Sequence, residues 1–409
     1  MCFYTPLLLR TKAVILVLFC LSNVHGITEY YVKPTERDNT SCPGEPCHTL
    51  NYFASNMHNK WSGAVVRFLP GNHSLNRSLY ISSSSNLHLT SFDPVTSIQN
   101  LIVNIHCPST ANFHFYNVSN ITVVGLCFYN CGRSEPPATL YFQHVTNFWV
   151  DYIEINGWPT TDVIQVNNGF GRSVISHSNL DCHISIQYQN AIDNSLIISK
   201  SSFKGSALDI RLTNLKNATL HIEISDNSFT SSRWNAIHLA AVRSTAMVHI
   251  RNCLLTGSMH GALYFQLTPS PWLVLTIESS VISSNIVTGE FEGAAGMTVH
   301  AYKTAVRHVQ DPIIIMRNVS FLGNKKYGKE HSATMALYYT KNVTFTDCEF
   351  HGNRGTAIGA YQSTFYMNGY NSFINNTATV GGAIALLDNS YMMIQNNTEI
   401  RFLIIKALD

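Results

Sequence analysis

The chain has 409 residues, of which 45% are hydrophobic and only 12% are charged, whereas an ordinary soluble domain carries about 25% charged residues. The 26 basic and 24 acidic residues nearly balance. This composition excludes a disordered charged tail, a protein that coats nucleic acid and a long charged coiled coil. Uncharged Ser, Thr, Asn and Gln supply the missing polarity, and these residues favour sheets and turns over helices.

Residues 1–26 have the layout of a secretory signal peptide. Arg10 and Lys12 precede an apolar run over 13–21, and Gly26 is a small residue at a plausible cleavage point. The run is about half as long as the roughly 20 residues that a transmembrane helix needs, so the pattern predicts a cleaved signal peptide and a secreted or extracellular protein. Cleavage would leave 24 basic and 24 acidic residues, with no net attraction to phosphate or anionic lipid.

The cysteines fit an oxidising compartment. Two of the ten lie in the signal peptide, and the remaining even number suggests disulfides, although eight cysteines allow 105 pairings. Cys42 and Cys47 form the one obvious local pair, across a short turn that contains two prolines. We expect Cys182, Cys253 and Cys348 to be buried thiols that act as small apolar side chains.

Ten Asn-x-Ser/Thr sequons also agree with secretion. Asn and Ser are abundant in this chain, so some of these asparagines are expected to be turn residues and only some to carry glycans. The candidate glycosylation sites are Asn39, Asn72, Asn76, Asn117, Asn120, Asn217, Asn318, Asn342, Asn375 and Asn396.

The segment 27–90 differs from the rest of the chain. It contains a first strand at 30–32, a strand and turn over 64–71, and an apolar pattern at helical spacing over 49–57. A parallel solenoid exposes its first core layer unless another element covers it. We therefore predict that the helix at 49–57, held by a Cys42–Cys47 bridge, caps the fold. An ordinary surface helix is the alternative.

From about residue 117 the chain is a repeat. A short alternating strand, a polar corner, an aromatic or aliphatic anchor, a turn and a second strand recur with a period near 25 residues, which is typical of a solenoid. Apolar residues alternate at every second position, which excludes helical repeats, and the leucine-rich repeat signature is absent. Two longer intervals, 289–296 and 323–331, are predicted to be loops. The anchors are Phe203, Phe229, Leu255, Ile282, Phe321, Phe350 and Phe373.

A coil of about 25 residues can hold three short strands, each paired with its counterpart one coil further on, about 4.8 Å away. Inward side chains would then stack like on like along the axis. The expected fold class is therefore an all-β parallel β-helix solenoid over 91–400. The tail 401–409 either covers the last coil or is followed by further chain in the natural protein, and we favour the second.

Two motifs sharpen this prediction. Phe-x-x-Asn occurs at 321–324, 350–353 and 373–376, and a Gly-Ala-Ile element follows the last copy at 382–384. The aromatic ring would fill the core, and each Asn amide would bond the Asn of the next coil. The units resemble right-handed parallel β-helices of the pectin-lyase-like type, and the motifs resemble repeats of chlamydial polymorphic outer-membrane proteins. The resemblance covers roughly residues 117–400 and is weaker before 195.

Pectin-lyase-like enzymes include glycosidases and lyases, so the resemblance raises the question of catalysis. The galacturonase pattern of that family needs an Asp-Asp pair, Gly-His-Gly and Arg-x-Lys, but this chain has no Asp-Asp pair, and its only Arg-x-Lys lies at 10–12. Calcium-dependent lyases need clustered acidic ligands, and the acids here are isolated. His238, His249, His260 and His300 lack zinc-ligand spacing. No catalytic residue, metal or cofactor is therefore predicted.

The most informative pattern is a polar stripe. When the strands that follow each turn are aligned, the side chains at alternate positions point inward and those between them point outward. Amides, aromatic rings and few charges suit a sugar, because rings stack on Tyr and amides bond hydroxyls. A simple solvated sheet is the alternative. The predicted outward residues are Tyr141, Gln143, Gln165, Asn167, Ser185, Gln187, Asp209, Arg211, His238, Tyr264, Gln266, Thr298, His300, Tyr338 and Tyr361.

Three functions are compatible with these features. The first is a non-catalytic secreted or cell-surface β-helix whose elongated face binds extracellular glycans or surface proteins. The second is a polysaccharide lyase or glycoside hydrolase that departs from the known patterns, which would require two carboxylates within about 5–10 Å on one face. The third is an adhesin-like piece of a longer membrane protein. We favour the first, with no nucleic-acid partner and no membrane span in this chain.

Overall fold

The structure of the chain is a computed structural model. It describes residues 28–34, 47–56, 61–91, 103–107, 111–132, 138–156, 162–181, 183–189, 194–205, 207–213, 215, 219–268, 272–288, 293–302, 311–327, 333–379, 381–395, 398–403 and 406–407. The predicted signal peptide, and the sequons at Asn39, Asn217 and Asn396, lie outside the described residues.

Three long parallel sheets, called A, B and C, make up the molecule. Sheet A consists, in spatial order, of β2 (Cys47–Thr49), β1 (Thr28–Lys33), β3 (Ala64–Phe68), β6 (Ser85–Ser91), β9 (Ser119–Val124), β12 (Thr146–Asp151), β15 (Phe170–Ser176), β18 (Asn194–Ser199), β21 (Thr219–Ser225), β24 (Thr245–Arg251), β27 (Leu273–Glu278), β31 (Ile313–Arg317), β35 (Asn342–Thr346), β38 (Thr364–Asn368) and β42 (Tyr391–Ile394).

Sheet B consists of β4 (Gly71–Ser74), β7 (Val103–His106), β10 (Cys127–Tyr129), β13 (Glu154–Asn156), β16 (Asn179–Asp181), β19 (Ser202–Lys204), β22 (Ser228–Thr230), β25 (Leu254–Thr256), β28 (Val281–Ser283), β32 (Ser320–Leu322), β36 (Glu349–His351), β39 (Tyr370–Ile374) and β43 (Glu399–Leu403). Sheet C consists of β5 (Leu79–Ser82), β8 (Phe113–Tyr116), β11 (Ala138–Gln143), β14 (Asp162–Asn167), β17 (His183–Gln189), β20 (Leu208–Thr213), β23 (Ile237–Val242), β26 (Leu263–Leu267), β30 (Met297–Ala301), β34 (Ala333–Tyr338), β37 (Thr356–Tyr361) and β41 (Ile384–Leu387).

Each coil of the chain contributes one strand to A, then one to B, then one to C, and the next coil pairs with it in parallel. Two short sheets at the corner between B and C join β29 (Ile286–Val287) to β33 (Lys325–Lys326) and β40 (Thr377–Ala378) to β44 (Lys406–Ala407). The predicted all-β parallel solenoid is therefore confirmed. In the described part of the chain, no helix is long and apolar enough to cross a bilayer.

The inward side chains of sheet B confirm the predicted phase of the repeat. Each anchor pairs with the next, from Phe203 with Phe229 to Phe350 with Phe373, and all seven are buried. The rings stack face to face, with centroids 4.4 Å apart for Phe203 and Phe229 and 5.0 Å apart for Phe350 and Phe373. Leu255 and Ile282 stand between the two groups of rings. Together the aromatic and aliphatic anchors form a continuous row of buried side chains that holds neighbouring coils together.

The asparagines of the Phe-x-x-Asn motif form a second buried ladder together with Asn285, which follows the anchor Ile282 one coil earlier. Asn285 Nδ2 donates to Asn324 Oδ1 (2.9 Å), Asn324 Nδ2 donates to Asn353 Oδ1 (3.1 Å), and Asn353 Nδ2 donates to Asn376 Oδ1 (2.9 Å). The backbone N–H of each also donates to the next Oδ1. The predicted Asn ladder is confirmed, and it satisfies buried backbone groups at the sharp corner that follows sheet B.

The helix α1 (Leu50–Asn56) lies within the predicted range 49–57. It contacts β2, β4 and β5, which are the first strands of sheets A, B and C. Phe53 packs against Tyr30 and Trp61, with ring centroids 5.9 and 5.8 Å away. The helix thus touches all three sheet ends, whereas its role as a stabilising cap remains a prediction.

The cysteines follow the prediction only in part. Cys253 and Cys348 are buried free thiols, and burial raises the pKa of each to about 11. Cys182 and Cys42 lie outside the described residues, although Cys47 is disulfide-bonded. A disulfide that the sequence did not reveal joins Cys107 to Cys131, 24 residues later, and ties two adjacent coils together.

Two predicted boundaries were wrong in part. Residue Asn324, placed in the loop 323–331, is fully buried in the Asn ladder, and Lys325–Lys326 form strand β33. The predicted loop therefore begins after Lys326 and not at the glycine at position 323. The predicted tail 401–409 begins inside a coil, because residues 401–403 belong to β43 and pair with β39.

Candidate functional site

The outward side chains of sheet C form two continuous rows, which we call the C face. The rows contain every predicted stripe residue in register. The first row runs Tyr80, His114, Tyr141, Gln165, Ser185, Asp209, His238, Tyr264 and Thr298. The second row runs Ser82, Tyr116, Gln143, Asn167, Gln187, Arg211, Ala240, Gln266, His300, Tyr338 and Tyr361.

The C face is long and narrow. Sheet C has 12 strands, and with strands about 4.8 Å apart it extends for roughly 50 Å. The two rows lie two residues apart along each strand, which is about 7 Å. The first row is polar only as far as Thr298, because Ala336 and Gly359 follow it. Beyond Tyr361 the two rows continue as Ala385 and Leu387, so the second row loses its polar side chains there, as predicted.

Sequence reasoning missed the first coils of the C face. Tyr80 and Tyr116 are 43% and 38% exposed and lie at the start of the two rows. Their strands, β5 and β8, carry the same alternation as the later ones, with His114 and Ser82 also facing outward. The alternation in 79–82 and 113–116 was the available signal, but these coils lack the Phe-x-x-Asn motif used for alignment.

Three predicted outward residues, Tyr141, Asp209 and Thr298, are buried, which corrects the expectation of a fully exposed stripe. Thr298 is only 3% exposed, and its Oγ1 accepts a hydrogen bond from the backbone N–H of Ala294 at 2.7 Å. Tyr141 is only 7% exposed, because the ring of His114 packs 4.6 Å away and Asn167 Nδ2 donates to its hydroxyl at 2.9 Å. Asp209 is only 5% exposed, because Arg211 and His238 lie against its carboxylate. Tyr141 and Asp209 order their neighbours on the C face rather than presenting their own surface to solvent.

The aromatic rings near the C-terminal end of the face pack on one another. The ring of Tyr338 stacks on that of Tyr361 with centroids 5.0 Å apart and an angle of 17° between the planes. His300 packs against Tyr338 at 5.4 Å and against Tyr302 at 4.3 Å. Side chains in register are stacked along the solenoid axis, so the edges and hydroxyls of these rings, rather than their covered faces, point outward. This corrects the expectation that Tyr338 offers an open ring face to a sugar.

An ion pair with a histidine occupies the middle of the C face. Asp209 Oδ2 accepts a hydrogen bond from Arg211 Nε at 2.9 Å, and Asp209 Oδ1 lies 3.0 Å from His238 Nδ1. Burial raises the pKa of Asp209, but the contacts with His238 and Arg211 outweigh this effect and hold the pKa below its usual value. The carboxylate is therefore charged at neutral pH and compensates the guanidinium beside it.

A notch lies next to this ion pair. Ala240 follows Arg211 in the second row and precedes Gln266, and its small side chain leaves room between two long ones. His238 and Tyr264 border the notch from the first row, with ring centroids 5.4 Å apart. Gln266 is held in place because its Nε2 donates to the hydroxyl of Tyr302 at 2.6 Å. The arrangement offers donors, acceptors and ring edges at fixed positions.

Catalytic and metal-binding groups are sparse on this face. The two rows contain one carboxylate, that of Asp209, whereas a glycosidase needs two carboxylates that flank one bond. Among the described residues, no group of three His, Cys, Asp or Glu side chains could hold a metal ion. A shallow depression of about 670 Å³ lies elsewhere, at the corner between sheets A and B, where Lys200, Asp226 and Asn252 are turn residues with positive φ.

The described sequons lie outside the strands of sheet C. The seven described sequon asparagines are all exposed, and none of these seven falls within a strand of sheet C, although Asn117 directly follows Tyr116 of the second row. Asn120 and Asn342 lie in strands of sheet A and Asn72 lies in sheet B, whereas the others occupy corners. The described set is Asn72, Asn76, Asn117, Asn120, Asn318, Asn342 and Asn375.

Comparisons with known proteins concern the fold alone. No protein-family model and no curated protein matches the chain. The catalytic domain of Agl-KA is 12% identical, with a TM-score of 0.36, over 83% of this chain and 63% of its own. The pectate lyase Pel9A is 12% identical, with a TM-score of 0.27, over 93% and 80% of the two chains. A PL6 alginate lyase in complex with a trisaccharide is 9% identical, with a TM-score of 0.30, over 92% and 85%.

Proposed function

We propose that the protein is a secreted or cell-surface β-solenoid that binds an extended glycan along the C face without cleaving it. The observation that carries the proposal is the register of the two rows, which lines up amide, hydroxyl and aromatic side chains over roughly 50 Å. A polymer of repeating sugar units can follow such a surface, because every coil offers similar groups at the same lateral position.

Hydrogen bonds within the face support this function. Asn167 Nδ2 donates to the Tyr141 hydroxyl, and Gln266 Nε2 donates to the Tyr302 hydroxyl. Side chains that are already ordered lose less conformational entropy when a ligand binds. The remaining donor and acceptor capacity of each amide is directed at ligand hydroxyls.

The absence of a second carboxylate from the two rows favours binding over hydrolysis, and the sequence positions of the sequons favour an unobstructed face. Glycans attached to the seven described sequons would lie on sheets A and B and at the corners, outside the strands of sheet C. Among them, only a glycan on Asn117, which directly follows Tyr116, would stand beside a row of the C face. Secretion itself is part of the proposal, and it rests on the signal-peptide pattern of residues 1–26, the sequons and the disulfide between Cys107 and Cys131.

The test compares matched tyrosines on two sheets. The secreted protein is applied to a glycan array, together with Tyr264→Ala on the C face and Tyr366→Ala on the outward side of sheet A. Both tyrosines are partly exposed and lie within strands. We expect Tyr264→Ala to weaken binding about tenfold, which corresponds to about 1.4 kcal/mol for a lost aromatic contact, and Tyr366→Ala to leave it unchanged.

An assay for unsaturated or reducing sugar products runs beside the array. The proposal fails if the wild-type protein retains no glycan, if both substitutions have the same effect, or if products accumulate at a rate that depends on the C face. Thermal unfolding of both variants shows whether either substitution has changed the fold.

A further inference from the structure

The charge distribution of sheet C differs from that of its neighbours. Three residues in its strands are charged, namely Asp162, Asp209 and Arg211. Asp162 pairs with Ala138, outside the two rows of the C face. Besides the histidines His114, His238 and His300, the two rows thus carry one carboxylate and one guanidinium over their whole length.

Sheet A has the opposite character over the same coils. Its outward side chains include a charged ladder in which Arg251 lies 2.7 Å from Glu223 and Arg317 lies 3.3 Å from Glu278. Solvent-facing positions on the strands of this solenoid can therefore hold charged residues. The near absence of charged residues from the C face is a property of sheet C and not of the fold.

The guanidinium of Arg211 on the C face is already compensated. Arg211 Nε donates to the carboxylate of Asp209, and this carboxylate is 93% buried, so that solvent screens it little. The guanidinium is 60% exposed and can still donate hydrogen bonds, but it brings no net positive charge to the surface. A hydroxyl group can satisfy such donors, whereas a carboxylate on the ligand would also meet the negative charge of Asp209.

We infer that the ligand of the C face is an uncharged glycan, recognised through its hydroxyl groups, and not a polyuronate or a sulfated polymer. This inference rests on the proposed glycan-binding function and names its ligand class. An acidic polymer would have to give up the hydration of one negative charge after another along roughly 50 Å without meeting an uncompensated cation. An uncharged polymer loses only hydroxyl hydration, which the amides and hydroxyls of the two rows replace.

The experiment measures affinity and its dependence on salt. Soluble β-glucan, galactomannan and arabinoxylan serve as uncharged probes, and polygalacturonate, alginate and heparin serve as acidic probes, each at about 0.05 M and about 0.5 M salt. These concentrations shorten the screening length from roughly 14 to roughly 4 Å. We expect at least one uncharged probe to bind, with an affinity that changes less than twofold between the two salt concentrations, and no acidic probe to bind.

Two variants supply a gain of function. Asp209→Asn leaves Arg211 uncompensated, and Gln266→Lys adds a cation in the second row without removing a buried group. Each variant should acquire binding to polygalacturonate that falls at least tenfold at the higher salt concentration. Gln266→Lys gives the answer if Asp209→Asn does not fold.

The outcomes separate this inference from the function on which it rests. Binding of wild-type protein to an acidic probe, weakened by salt and by Tyr264→Ala, would overturn the uncharged ligand and keep glycan binding on the C face. Failure to retain any of the six probes would overturn both. Binding of an uncharged probe that Tyr264→Ala does not weaken would remove the ligand from the C face.

Discussion

Replacement of Asn353 by Ala tests how the corner that follows sheet B is stabilised. The side chain is 1% exposed and makes four hydrogen bonds to buried groups. Its Nδ2 donates to the carbonyl oxygen of Phe321 at 2.9 Å and to Asn376 Oδ1 at 2.9 Å. Its Oδ1 accepts from the backbone N of Asn324 at 2.9 Å and from Asn324 Nδ2 at 3.1 Å.

A single buried hydrogen bond contributes about 1 kcal/mol, and a buried group left without a partner costs about 1–3 kcal/mol. Four bonds lost at one site therefore predict a decrease of about 4 kcal/mol in the free energy of unfolding.

The assay combines urea unfolding with amide hydrogen exchange. The N–H of Asn324 loses its acceptor in Asn353→Ala, so its exchange should accelerate more than that of amides in distant coils. Asn342→Ala is the control, because Asn342 is exposed. A loss below about 1 kcal/mol, or a loss equal to that of the control, would refute the view that the ladder stabilises the solenoid.

Further predictions concern a core truncation at Phe350 and the dependence of stability on pH through the buried His73. Phe350→Ala, between the stacked rings of Phe321 and Phe373, should lower the free energy of unfolding by about 3–5 kcal/mol, and an unchanged urea midpoint would contradict the assigned phase of the repeat. Burial lowers the pKa of His73 to about 4 from 6.5. The unfolded chain then binds more protons between these pH values, so stability should rise by up to about 3 kcal/mol as pH increases from 4 to 6.5. His73→Phe should flatten this dependence in urea titrations, and an unchanged slope would assign it to other groups.

The repeat and the C face could be predicted because a strand alternates strictly. Once Phe350 and Phe373 are assigned to the core, the alternation determines which side chains of the same strands point inward and which point outward. Glycine and asparagine mark the corners clearly enough to set the period. For this reason the stripe residues from Gln143 to Tyr361 fall into two rows, as predicted.

Burial within the face and the long-range disulfide could not be predicted in the same way. Tyr141 is covered by His114 and Asn167, which lie in adjacent coils at different sequence distances. Cys107 and Cys131 meet only because their coils are neighbours, and the irregular early coils hide that relation. Contacts between coils depend on the number of residues in each loop, which the alternation of a single strand does not encode.

The most direct test of the central claim is to attach a glycan to the C face itself. Gln266→Asn creates the sequon Asn-Leu-Thr with residues 267 and 268, and Glu223→Asn creates Asn-Ile-Ser on sheet A as the matched control. Both variants are produced in a secretory host, their occupancy is verified by mass spectrometry, and their affinity for the best uncharged probe is measured. We expect the glycan at position 266 to abolish binding and the glycan at position 223 to leave it intact. Equal binding by both glycosylated variants would contradict this expectation.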